Sequence, residues 1–134
     1  MEKPPVKLIT LEAFNSVNIE DYQVSAFPVN HTKGSIGFEI TSKDQKKIFY
    51  TGDTGPDLSG IWDHISPNLI IIDVTFPDGL ETMAKNAGHL CPKLLKNELI
   101  EFYKIKGYYP KVILIHLSPK YEKEIKKEVK KYQK

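Results

Sequence analysis

Two kinds of hydrophobic pattern divide the chain. Over residues 17–19, 22–29, 35–41 and 46–51, apolar positions alternate with polar ones or are β-branched and aromatic, which predicts short strands. Polar turns at Glu20-Asp21 and Ser42-Lys43-Asp44-Gln45 separate them, the second closing a hairpin. Residues 69–74 and 111–116 differ: each is a near-continuous Ile/Val/Leu run, the signature of a strand covered on both faces. Between these runs, residues 92–106 predict a helix, because Pro92 suits a first helical position and Gly107 a stop. Leu95, Leu99, Phe102 and Tyr103 fall on one side of it.

Residues 57–65 predict a short helix over the sheet. Residues 120–132 predict a final helix with a narrow apolar stripe of Tyr121, Ile125, Val129 and Tyr132. Strand, helix, strand, helix at these spacings implies an α/β domain, one mixed sheet with helices on one face and an antiparallel part at its N-terminal end. Six or seven strands and three helices can cover only one face of that sheet. The other face is expected to be apolar and buried against something else.

Length and composition narrow the class. At 134 residues the chain is one domain's worth of polypeptide, read as a single domain over 1–134 without repeat or linker. Hydrophobic residues at 40% and charged residues at 27% exclude a disordered or fibrous chain. Leu69-Ile70-Ile71-Ile72 and Val112-Ile113-Leu114-Ile115 are the longest apolar runs, far short of the roughly 20 residues a membrane span needs. The start, Met1-Glu2-Lys3-Pro4-Pro5, lacks the apolar stretch of a secretory signal, and the single cysteine, Cys91, excludes an internal disulfide. A cytoplasmic protein without membrane association is expected.

Charge removes one kind of chemistry. The net charge of +2 is too small for an electrostatic nucleic-acid footprint by itself. All nineteen basic residues are lysine, so no guanidinium fork is present to grip a phosphate at two points; a metal, histidines or backbone N–H groups must do so. Residues 120–134 carry seven lysines against three glutamates. A solvated helix face is the ordinary reading of such a run, and an RNA contact the weaker one.

Three of the four histidines share a placement. His31 follows the strand ending near Val29, His116 closes the last apolar strand, and His89 lies in Gly88-His89-Leu90 just before a helix. Asp53, in Gly52-Asp53-Thr54-Gly55, directly follows the strand 46–51. Ligands of α/β sheets bind at the carboxyl ends of strands, so these residues can converge at one rim. Asp and His suit Zn²⁺, Mn²⁺ or Fe. Each taken singly has a structural reading too: Asp in a glycine turn is a common turn former, and a strand-closing His is often a hydrogen-bonded cap. His64, in Trp62-Asp63-His64-Ile65, reads as an ordinary helix residue, and Cys91 as a small buried residue at a helix start rather than a soft ligand or redox-sensitive thiol.

The joint pattern is more specific. In order the chain carries Phe27-Pro28-Val29-Asn30-His31, Gly37-Phe38, Tyr50-Thr51-Gly52-Asp53-Thr54-Gly55, Asp73-Val74-Thr75-Phe76-Pro77, Gly88-His89-Leu90 and His116-Leu117-Ser118-Pro119-Lys120-Tyr121. This series resembles the C-terminal half of a metallo-β-lactamase-fold hydrolase, most nearly the branch holding ribonuclease Z and the class II cyclic-nucleotide phosphodiesterases. The resemblance runs from about Val17 to about Val129.

The resemblance implies half of a four-layer αββα sandwich and, in the complete enzyme, two divalent metal ions, zinc with manganese or iron as alternatives. Asp53 then matches the metal-bridging aspartate, His116 the last histidine ligand, and His89 a histidine that faces the scissile phosphate. His31 matches a histidine near the site, and Thr54 and Ser118 match residues that orient neighbours. The implied substrate is a phosphodiester, a cyclic nucleotide or RNA.

The family's first metal motif, His-x-His-x-Asp-His, is nowhere in these 134 residues. Asp53 and His116 alone are too few to hold a competent binuclear site, since a catalytic zinc normally keeps three protein ligands. Two expectations follow. Either an N-terminal half of the same fold or a homodimer through the exposed sheet face completes the structure, or the chain is a non-catalytic dimerisation module that kept the half-fold without metals.

Overall fold

The computed structural model describes residues 2–133. Six strands form one sheet in sequence order: β1 (Ser16–Ile19), β2 (Tyr22–Pro28), β3 (Ile36–Thr41), β4 (Lys47–Tyr50), β5 (Leu69–Asp73) and β6 (Lys111–Ile115). The first three pairings are antiparallel and the last two parallel. β2, β4, β5 and β6 therefore run the same way and end at one rim. The mixed sheet expected from the pattern is present.

The helices are α1 (Ser59–Trp62), α2 (Glu81–Ala87), α3 (Pro92–Lys106) and α4 (Glu122–Tyr132). α3 has the predicted bounds: Pro92 occupies its first turn, and Gly107 ends it in the left-handed conformation at φ +80°. α1 is one turn rather than the nine residues predicted, because Asp57 sits at φ +71° and keeps the preceding loop out of a helix. α4 begins two residues later than predicted. α2, with the 3₁₀ turn Asp78–Leu80 before it, has no counterpart in the sequence reading, because Ala84 is its only buried residue and no apolar stripe marks it. Lys134, the seventh lysine of the C-terminal run, lies outside the described residues.

The buried apolar side chains of the helical layer meet one face of the sheet. Phe27, Phe49, Ile70 and Ile72 from the strands pack against Ile61, Trp62, Leu94, Leu95, Phe102 and Ile125. Phe49 lies between the rings of Phe27 and Trp62, at centroid distances of 6.4 and 6.3 Å, and Trp62 continues to Phe102 at 5.2 Å. Burial of these rings is the main stabilisation of the domain, about 25 cal/mol for each Å² of apolar surface removed from water.

The opposite face carries Val17, Val24, Ile36, Phe38, Ile40, Ile48, Tyr50 and Ile113. Tyr50 is 41% and Ile113 48% exposed. Ile9 and Leu11 from the N-terminal segment fold across one end and line an apolar hollow with several of them. No helix of the described residues is long and apolar enough to cross a membrane.

Phe49→Ala removes the central ring of the covered face. Unfolding by urea is expected to show a loss of about 3–5 kcal/mol, the range for deleting a fully buried aromatic side chain.

Candidate functional site

The shared rim collects the loops that follow the four co-directional strands. Asn30 and His31 follow β2, Thr51 to Pro56 follow β4, Val74 and Thr75 follow β5, and His116 follows β6. The Gly88–Cys91 segment between α2 and α3 packs onto them. These loops meet backbone to backbone: Gly55 N–H donates to the Asn30 carbonyl at 2.6 Å, and a Cβ on Gly55 would lie 3.2 Å from Gly88 Cα. Gly88, at φ +73°, lies so close to His31 that a Cβ there would sit 2.8 Å from its Nδ1.

The resulting cluster contains all three rim histidines and Asp53. Asp53 lies 3.5 Å from His116 Nδ1 and 3.8 Å from His31 Nε2. The His89 ring centroid is 5.0 Å from that of His31 and 5.2 Å from that of His116. His116 reaches this place through a left-handed backbone at φ +62°, an uncommon conformation for a non-glycine residue and one that concentrates at functional sites.

A residue to which the sequence assigned no role holds the cluster together. Asp73, the last residue of β5, is fully buried. Its Oδ2 accepts from His89 Nδ1 at 2.6 Å and from Thr54 N–H at 3.0 Å; its Oδ1 accepts from the Thr75 hydroxyl at 2.6 Å. With its proton given to Asp73, Thr75 Oγ1 is left to accept from His116 Nδ1 at 2.9 Å. A buried carboxylate is costly unless charged or polar donors surround it, and here three do. The available signal in the sequence was a lone acid closing an isoleucine run at the carboxyl end of a parallel strand.

Histidine tautomers follow from these partners. His31 Nδ1 donates to the Gly88 carbonyl at 2.9 Å, His89 Nδ1 to Asp73, and His116 Nδ1 to Thr75. Each ring is thus fixed through Nδ1 and keeps Nε2 as a free lone-pair donor. Imidazoles tied in this way to a carbonyl or carboxylate are the common arrangement around protein-bound zinc. Two groups of donor atoms, His31/Asp53/His89 and Asp73/His89/His116, each lie within 4.8 Å of one another. The donor set fits a borderline divalent ion such as zinc.

The remaining predicted residues occupy supporting places. Thr54 accepts the Asn30 N–H on its hydroxyl at 3.2 Å and donates it to the Gly55 carbonyl, tying two loops together. Ser118 acts through its backbone, its N–H donating to the Thr75 carbonyl at 3.1 Å. His64 is exposed, packs against Phe14 and Phe27, and belongs to neither group of candidate donors. Cys91 is fully buried before α3, and burial pushes its thiol up to about 11.

Glu98 on α3 anchors the far end of the Asp53 loop. Its Oε1 accepts from Asp57 N–H at 2.6 Å and Leu58 N–H at 3.0 Å, while burial raises its pKa above the usual carboxylate value.

Comparison with known proteins agrees with this layout. Residues 1–117 match the family described as a beta-lactamase superfamily domain. A probable 3',5'-cyclic-nucleotide phosphodiesterase of Yersinia pestis is 27% identical over 115 residues, which span 72% of this chain and 33% of that protein. Among solved structures, the metallo-β-lactamase fold protein YhfI of Bacillus subtilis superposes with a TM-score of 0.74 at 20% identity, covering 98% of this chain and 52% of that one. The short form of human tRNase Z superposes with a TM-score of 0.62 at 28% identity, covering 81% of this chain and 42% of that one. The chain thus spans about a third of the curated relative's length and about half that of these structures.

Gly88→Ala is expected to destabilise the fold by about 2 kcal/mol in urea unfolding, through left-handed strain and the clash with His31. Loss of the His31 Nδ1 hydrogen bond, read from its ring nitrogen resonances, is expected to accompany it.

Proposed function

Because the chain belongs to the beta-lactamase superfamily, we propose that it is the part of a metal-dependent phosphodiester hydrolase that carries the second half of the active-site rim. The observation that carries this reading is the placement of Asp53 beside His116 at one sheet edge, 3.5 Å apart, with the His89–Asp73 pair directly behind them. The names of the Yersinia and human relatives support phosphodiester chemistry over the family's other reactions. Fold alone does not choose a substrate.

Asp53 and His116 would hold divalent metal in the complete site. Bound ions there supply charge stabilisation at phosphoryl oxygens and water of lowered pKa. Asp53 is half-exposed on a glycine-flanked loop, so its carboxylate is free to turn toward a ligand. To His89 we assign the departing oxygen. With Nδ1 engaged by buried Asp73, its Nε2 is left to meet or protonate an oxyanion; the chain has no arginine for that charge.

The rim residues of this chain are fewer than two ions need. The proposal therefore includes a cover for the open sheet face. An N-terminal half of the same fold would bring the missing histidines with its own sheet; a second copy of the chain is the other candidate. A metal-free pairing module is not favoured, because oriented imidazoles and an unspent carboxylate converge at the rim.

Two measurements test this. In a protein completed by the missing half, Asp53→Ala is expected to abolish hydrolysis of bis(p-nitrophenyl) phosphate, and His89→Ala to lower kcat by roughly 10²- to 10⁴-fold. Full activity in both variants rejects the assignment. At micromolar concentration the chain by itself is expected to sediment as a dimer or larger species; a monodisperse monomer removes the second copy as the cover.

A further inference from the structure

We propose that Asp78 is a positioning residue for His89, and that the C-terminal helix α4 works through it as a clasp on the rim. The clasp stands on contacts within the chain; only its consequence for turnover rests on the assignment of the departing oxygen to His89.

α3 starts without the means to cap itself. Its N-cap is Cys91, which makes no side-chain cap, and its first turn holds no acid. A helix start leaves N–H groups in need of an acceptor and favours negative charge beside them. Asp78 supplies both from 15 residues upstream, its Oδ1 accepting from Lys93 N–H at 2.7 Å. Asp78 also opens the 3₁₀ turn that runs into α2. One residue therefore closes the base of the whole excursion from α2 through His89 to α3. Beside it, Lys93 Nζ meets Glu81 at 3.3 Å.

His89 sits in that excursion with little slack. Its own N–H donates to the Ala84 carbonyl of α2 at 2.9 Å, and only Leu90 and Cys91, both fully buried, separate it from Pro92 at the start of α3. The Leu90 carbonyl accepts from Thr75 N–H at 3.0 Å and Phe76 N–H at 3.3 Å. A shift in the start of α3 is thus carried to Thr75, whose hydroxyl holds His116. Asp73 fixes the ring of His89; Asp78 fixes the backbone that carries it.

α4 grips the same aspartate. In its last turn the Tyr132 hydroxyl donates to Asp78 Oδ2 at 2.8 Å, and Glu128 Oε2 accepts from Asp78 N–H at 2.8 Å. The bond to Asp78 pushes the Tyr132 hydroxyl up to about 12, so it remains a donor at ordinary pH. Lys96 of α3 lies over the Tyr132 ring, 5.0 Å from its centroid. Apolar burial alone holds α4 weakly, because Ile125 is its one fully buried side chain and five of its eleven residues are lysine. Just before α4 the chain is tied again, Ser118 N–H donating to the Thr75 carbonyl at 3.1 Å. The C-terminal segment is thus fastened at both ends to the stretch that follows β5, and its far fastening is the residue that caps α3.

The test compares the full metal-free chain with Asp78→Ala, Asp78→Asn and Tyr132→Phe. Asparagine keeps an acceptor for Lys93 N–H and turns its amide to the Tyr132 oxygen, so it preserves both contacts; alanine keeps neither. Long-range ¹H–¹⁵N correlation is expected to show the His89 ring nitrogens moved in Asp78→Ala, moved less in Tyr132→Phe and restored in Asp78→Asn, with His64 unmoved throughout. Trypsin cleavage after the lysines of α4 is expected to be about 10-fold or more faster in Tyr132→Phe, for loss of one hydrogen bond to a charged group. His89 nitrogens unmoved in folded Asp78→Ala, or cleavage of α4 unchanged in Tyr132→Phe, overturn the proposal. Lowered melting temperatures with His89 unmoved mark a purely structural role and overturn it too. Tyr132 is exposed and its variant loses only a hydroxyl, so if Asp78→Ala does not fold, the His89 nitrogens of Tyr132→Phe decide the matter, and their staying in place overturns it. In the protein completed by the missing half, Asp78→Ala is expected to lower kcat by about 10-fold or more with KM little changed. A moved His89 with kcat unchanged counts against the role of His89 in turnover and leaves its positioning by Asp78 standing, so the two failures are told apart.

Discussion

Everything at the rim depends on one carboxylate placed where water does not reach. Asp73 ends β5 inside the protein, and an ion in that position is stable only if its desolvation is offset by hydrogen bonds from groups already fixed in space. Each of its three partners comes from a different loop: Thr54 from the loop after β4, Thr75 from its own strand's exit, and His89 from the turn before α3. Satisfying the buried charge therefore sets the relative position of Asp53, His89 and His116. The geometry of the rim cluster is a by-product of a burial problem: the rings of His89 and His116 are tied to Asp73 and Thr75, while Asp53 stays exposed.

Backbone approach is the second constraint, and it explains the glycines of the rim. The loops carrying His31, Asp53 and His89 touch at main-chain distance, with Gly55 against Gly88 and Gly88 against His31. Side chains at either glycine would push the loops apart by more than a ligand cluster tolerates. A sheet whose co-directional strands end together brings four loops to one edge; these glycines let them close on each other.

Much of this was legible from residue pattern. The two isoleucine-rich runs gave the parallel strands, and Pro92 with Gly107 bracketed α3 because backbone preferences at helix ends are local properties of the residues themselves. α2 was illegible because its stability comes from its neighbours rather than from any stripe of its own: a seven-residue helix with one buried alanine leaves no periodicity. Asp53, His89 and His116 announce themselves by type and by their positions after strands. Asp73 does not, since an aspartate closing a strand is ordinary, and its role exists only once three loops have folded over it. The hydrogen-bond direction that frees each Nε2 is likewise a property of contacts and not of spacing.

The sheet is apolar on its open side as well as under the helices. Along β3, the residues facing the helices are Gly37, Glu39 and Thr41, while Ile36, Phe38 and Ile40 face the open side. Glu39 is buried on the helical side and is satisfied there by Ser66 N–H at 2.9 Å. If the open side faced water in the working protein, alternation would place its isoleucines inward and its glutamate outward. The reverse is encoded, and it continues across the register: Phe38 opposes Tyr50, Ile40 opposes Ile48, and Ile71 opposes Ile113. A one-residue slip would exchange the faces, yet the core ring Phe49 and the buried Ile70 and Ile72 hold the register as it is. Apolar side chains on both faces of one sheet are the condition of a central layer. The rim that gathers Asp53, His89 and His116 therefore lies at the edge of a sheet with the apolar pattern of an interior layer on both faces.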